Sequence, residues 1–184
     1  MFRKARKLAS EEELYAAGLR ALARRAHSVY EMRQALERRA EEKSLARRVL
    51  ERLKREGLLD DARYARQFAR QHAESRRQGR FRIARDLRAR GVPDRHIEAA
   101  LEEIFAETDE AALVRKRIER RLRGLRGPLD ERRVASFYRS LMRAGFSSDL
   151  IRTQLRNVRN LAVNDLLEPE ELELPTHTNE HDEE

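Results

Sequence analysis

Apolar side chains follow one pattern that this chain uses three times. With Leu36, Leu87 and Leu141 as origins, Met32, Ile83 and Phe137 stand four residues earlier. Ala46, Ile97 and Ile151 follow ten residues later, and Leu50, Leu101 and Leu155 fourteen later. Leu53, Ile104 and Val158 complete the set at seventeen. The origins lie 51 and 54 residues apart. A fixed period of this length marks tandem structural units. Within each unit the spacings predict two amphipathic helices with a break between them. Gly91 and Gly145 sit at that break, where glycine can take the left-handed conformation that ends a helix. Ala40 holds the place in the first unit, so that turn is less strongly specified.

A further helix precedes each pair. Ser10 with Glu13, and Ser28 with Glu31, read as capping boxes. Asp60 or Asp61 opens a helix through Tyr64, Ala65, Phe68 and Ala69, and Thr108 or Asp109 opens one through Leu113, Val114, Ile118 and Leu122. Gly124, Gly127 and Pro128 end the latter, and Asp130 starts its successor. Pro93 stops the middle unit's second helix, with Asp94 as candidate cap of the next; Ser147 is its counterpart in the third unit. No period-two alternation predicts a sheet. The expected fold is all-α: tandem three-helix, helix-turn-helix-like units in an elongated, curved array. The expected segments are a basic arm 1–11, units 12–58, 59–107 and 108–165, and an acidic tail 166–184.

Charge changes the picture. Among 184 residues 40% are charged and 5% aromatic, so the core is expected as a thin seam along stacked helices. There are 41 bases against 33 acids, and residues 166–184 contain eight acids and no Lys or Arg. The preceding residues therefore hold 41 bases against 25 acids, a net of +16. Such a body favours a polyanionic partner. Most of its bases are arginine, whose planar fork suits phosphate; codon bias explains arginine over lysine but not the net charge. The tail is too acidic and too poor in large apolar groups to order itself, and is expected to be disordered.

Two clusters are the candidate binding residues. Arg76, Arg77, Arg80, Arg82, Arg85, Arg88 and Arg90 form a run opposed within it only by Asp86. Ile83 and Leu87 face the core, which turns Arg82, Arg85 and Arg88 outward. Gly79 permits close backbone approach to a partner. Arg115, Lys116 and Arg120 belong to a second run with Arg117, Arg121, Arg123 and Arg126. With few aromatics among these bases, phosphate contact without sequence readout is expected rather than base stacking.

Catalytic signals are weak. There is no His-Glu-x-x-His, no Gly-rich phosphate loop and no cysteine. His177 and His181 lie four apart, but in the acidic tail, and no metal site is expected. Asp60-Asp61 reads as a helix cap rather than a carboxylate pair. No catalytic residue, cofactor or membrane segment is expected. Zero cysteines and the lack of a signal-peptide core fit a cytoplasmic protein.

The stretch Glu56-Gly57-Leu58-Leu59-Asp60-Asp61-Ala62-Arg63-Tyr64-Ala65-Arg66-Gln67-Phe68 resembles the RecX regulatory proteins, whose hallmark is Gly-Leu-Leu/Ile-(Asp/Asn)-Asp leading into a helix with spaced aromatics. The likeness continues through Gly79, Arg82-Ile83, Leu87 and Arg90-Gly91-Val92. It also covers Ser28, Glu31 and Leu36 upstream, and Arg143-Ala144-Gly145-Phe146 and Ile151 downstream. Arg80 stands where the family often has proline after the glycine, and Ala40 where it often has glycine. The resemblance implies a tandem of three-helix repeats. It also implies a non-enzymatic, cytoplasmic modulator that binds the RecA nucleoprotein filament and suppresses ATP hydrolysis, strand exchange and coprotease activity, with nonspecific contact to single- and double-stranded DNA. A monomer is expected. The alternatives are a sequence-specific DNA-binding regulator using its helix-turn-helix pairs, and an adaptor for an acidic protein. Against the first, the third helix of the middle unit carries Glu98, Glu102 and Glu103 where base-reading side chains would stand.

Overall fold

A computed structural model describes residues 7–124 and 130–157. Nine helices occupy the described residues: α1 (Glu11–Arg24), α2 (Val29–Arg39), α3 (Lys43–Arg55), α4 (Asp61–Glu74), α5 (Arg80–Arg88), α6 (Asp94–Glu107), α7 (Glu110–Arg123), α8 (Glu131–Arg143) and α9 (Ser148–Arg156). No strand forms among these residues; there is one isolated bridge, between Leu8 and Ala40.

Three apolar cores follow one another along the chain. The first joins Leu14, Met32, Leu36, Val49 and Leu53 from α1–α3. The second joins Phe68, Ile83, Leu87, Ile97 and Ile104 from α4–α6, and the third Val114, Ile118, Phe137, Leu141 and Ile151 from α7–α9. The repeated positions read from the sequence are therefore the core positions, with Leu101 only partly buried and Val158 outside the described residues. Extensive helix packing stays within each set of three. Such a molecule is held together by separate seams and by the joints between neighbouring units.

The helix starts show where local chemistry decided the ends. Ser28 and Glu31 form the expected capping box, and Asp60, Asp109, Asp130 and Ser147 each accept a first-turn amide. Ser10 differs: its hydroxyl bonds Glu12 and caps no amide. Asp94 also differs, because Pro93 takes the cap position and the Asp94 carboxylate pairs instead with Arg88. Asp61 leaves the capping to Asp60 and accepts the Val29 amide at 2.9 Å, joining the first two units. Gly127 and Pro128 lie outside the described residues.

The three α–α turns share one joint. Three residues after each origin, the carbonyls of Arg39, Arg90 and Ala144 accept a hydrogen bond from chain that precedes the unit. Arg90 takes it from the Ser28 hydroxyl at 2.6 Å, and Ala144 from the Gly79 amide at 2.9 Å. Ser28 and Gly79 both stand eight residues before their own unit's origin. Arg39 takes its bond from the Leu8 amide at 2.7 Å, and the Leu8 carbonyl accepts from Glu41 at 2.9 Å. The arm thus fills, for the first unit, the place that a preceding unit fills for the others. Gly91 and Gly145 adopt φ of 68° and 89° as expected, whereas Ala40 is extended at φ −67°, ψ 144°. Alanine avoids the left-handed region, and its extended turn offers the edge that Leu8 joins.

Candidate nucleic-acid interface

Arginines from two units meet where the α4–α5 connection crosses α7. Arg77 there has φ +50°, and its carbonyl turns toward α7. Arg117 of α7 donates from Nε to the Arg77 carbonyl at 2.7 Å and from Nη2 to the Arg76 carbonyl at 2.8 Å. These acceptors are neutral, so they orient the guanidinium without cancelling its charge. Burial, then repulsion from Arg120 and Arg77, lowers the Arg117 pKa from its ordinary value. Arg76, Arg77, Arg117, Arg120 and Arg121 line one cavity of about 320 Å³, with no carboxylate among its lining residues. Ile118, Phe137 and Leu141 are its apolar lining.

A second hollow of about 430 Å³ lies between the first two units, and Arg76 lines it as well, a side chain shared by the two hollows of one arginine-lined groove. Arg25, Glu31, Tyr64, His72 and Arg90 are on its walls. This hollow carries its own anion. Burial pushes the Glu31 carboxyl up, but bonds from Arg25 and the Ser28 amide outweigh it and hold the group below its usual value. Arg90 lies over the Phe68 ring at 4.7 Å, and Phe68 stacks on the buried His72 at 3.7 Å.

The expected binding residues divide into two sets. Arg76, Arg77, Arg90 and Arg120 line the groove. The rest of the run is not the unopposed cluster that its sequence suggests. Arg80 pairs with Glu110 at 3.2 Å, Arg82 with Asp86 at 2.9 Å and Arg88 with Asp94 at 2.6 Å. Arg85 points outward, 65% exposed and 3.9 Å from Asp86. Folding thus adds Glu110 and Asp94 to the single opposing acid visible in the run. Arg115 pairs with Asp109 and reaches Gln154, while Lys116 is exposed and lines neither hollow. Gly79 does serve a close backbone approach, but to the third unit of its own chain. Arg25 escaped the sequence reading. Its signal was available in the repeat, because Arg25 and Arg76 both stand eleven residues before their origins.

Fold and groove together define a helical-repeat protein of tandem three-helix units with an arginine-lined junction. Residues 60–101 match the model of the second three-helix domain of RecX. The regulatory protein RecX of Halorhodospira halophila is 43% identical over 144 residues, spanning 78% of this chain and 87% of that protein. That of Trichlorobacter lovleyi is 37% identical, spanning 76% and 92%. A crystal structure of regulatory protein RecX superposes with a TM-score of 0.67 at 23% identity, over 79% of this chain and 71% of that one. RecX from Lactobacillus salivarius gives 0.65 at 21%, over 79% and 94%; these two likenesses concern the fold. The chain belongs to the RecX family of regulatory proteins.

Proposed function

We propose that this protein binds the RecA nucleoprotein filament and inhibits its ATPase, strand-exchange and coprotease activities, acting in the cytoplasm as a non-enzymatic regulator of recombinational repair and the SOS response. The observation that carries the mode of binding is the acid-free arginine cavity at the junction of the second and third units. Guanidiniums without counter-charges favour phosphate, and phosphate contacts carry no sequence information. The contact with DNA is accordingly nonspecific, on single or double strands, and the link to RecA rests on the family. The two hollows lie at consecutive junctions, so one monomer could engage an extended partner without dimerising.

The sequence-specific regulator is the weaker reading. Glu98, Glu102 and Glu103 are exposed on α6, and Glu103 faces Arg66 and Arg70 of its own chain. A helix presenting these acids repels the phosphates that flank a major groove. The deciding experiment is RecA ATPase on single-stranded DNA with the protein titrated in. Hydrolysis should fall at sub-stoichiometric ratios to RecA, and unchanged hydrolysis and strand exchange at equimolar protein would reject the proposal.

A further inference from the structure

The two hollows lie one at each junction, but differ in the charge of their linings: that between the first two units includes the Glu31 carboxylate, and that between the second and third has no carboxylate. Glu31 receives Arg25 at 2.9 Å. Ser136 receives Arg121 through its hydroxyl at 2.8 Å. One junction therefore contains a carboxylate for its arginine, and the other offers a neutral oxygen to a side chain that lines a five-arginine cavity. Arg76, Arg77 and Arg120 have no carboxylate partner among the described residues, and half-buried Arg117 meets only carbonyls. Like charges gathered in a partly desolvated hollow repel one another more than they would in water. A multiply charged anion seated there would relieve that repulsion, and a single monoanion would offset little of it.

From this contrast we infer that the cavity between the second and third units is a discrete site for linked phosphoryl groups. Arg120 and Arg121 would close on the ligand from the rim, and Arg117, tied to two backbone carbonyls, would hold the base of the site. Arg76 and Arg77 belong to the α4–α5 connection and Arg117 to α7. An anion bound to all three therefore fastens the second unit to the third. The ligand chemistry is shared by the polyphosphate of a free nucleotide and by successive phosphodiesters of a strand. This deepens the nucleic-acid reading of the groove and depends on it only for the ligand's source.

The test is calorimetric titration of the full chain with inorganic pyrophosphate at constant ionic strength. Saturable one-to-one binding is expected. Ser136→Glu places a carboxylate beside Arg121, as Glu31 lies beside Arg25. It should weaken pyrophosphate at least about tenfold and raise the melting temperature of the unliganded protein. Arg120→Gln, an exposed substitution, should weaken binding without altering the fold, and decides the matter if Ser136→Glu does not fold. Arg47→Gln, on α3 of the first unit, should bind like the parent. Absence of saturable binding, or equal binding by parent and Arg120→Gln, overturns the site. Competition then identifies the source. Displacement by ADP alone upholds a nucleotide site, displacement by an oligothymidylate upholds a strand-backbone site, and displacement by neither overturns the assignment. RecA is absent throughout, so failure here is distinct from failure of the filament reading.

Discussion

A side-chain carbon on Gly79 would lie 2.2 Å from the carbonyl oxygen of Gly145. The two glycines let the start of α5 lie directly on the α8–α9 turn, where the amides of Gly79 and Phe81 donate to Ala144 and Gly145. The two nearest obstructing atoms are backbone, which cannot rotate aside. Gly79→Ala should therefore destabilise the joint between the second and third units by about 3 kcal/mol or more. Gly57 supplies the contrast: its φ is also positive, at +69°, but no atom lies within 4 Å of an added carbon. Gly57→Ala should show only the conformational penalty of about 1–2 kcal/mol. Denaturant melts of the two variants test this, and equal losses would mean that the joint contributes little.

Leu8 is tied to the first unit through its own amide and carbonyl. Leu8→Pro deletes the donor to the Arg39 carbonyl. It should lower stability by about 1–2 kcal/mol and speed hydrogen exchange at the Glu41 amide, which Leu8 protects. Unchanged exchange at Glu41 would show that the arm does not hold this edge in solution.

The division between groove and paired arginines predicts a difference in DNA binding. Arg76→Gln with Arg120→Gln should weaken binding to an oligothymidylate and reduce its salt slope by about 0.7 for each phosphate no longer engaged. Arg82→Gln with Arg88→Gln should do less, because Asp86 and Asp94 already offset those charges. A larger effect from the second pair would place the interface on the outer face of α5.

His72 should make the middle unit sensitive to acid. Burial above all, then Arg76 and Arg90, lowers its pKa, while the Phe68 carbonyl and Asp86 act the other way. The unfolded chain thus binds the proton more readily than the folded one. Stability from this group is full above the unfolded value of about 6.5 and declines as pH falls through it toward the lower folded value. His72→Leu should flatten the fall in melting temperature over that window; an unchanged fall would assign it to another group.

The sequence determined the helices, the three cores and the family. Local rules suffice for these: the period of apolar residues, caps such as Ser28 and Asp60, and the glycines at positive φ act over a few neighbouring residues. Ser10 and Asp94 escaped because the Ser10 hydroxyl donates to Glu12 and, with Pro93 at the cap position, the Asp94 carboxylate pairs with Arg88, and such choices of partner are settled in space. Tertiary structure alone decided which arginines stand without acids. Arg80 and Glu110 lie 30 residues apart and meet at 3.2 Å, whereas Arg117 crosses to Arg77, 40 residues earlier, and finds only a carbonyl. Net charge adds along a chain, but Coulomb interaction depends on distance after folding. The total of +8 was therefore plain in the sequence, while the cavity that concentrates positive charge came into being only when α7 packed against the α4–α5 connection.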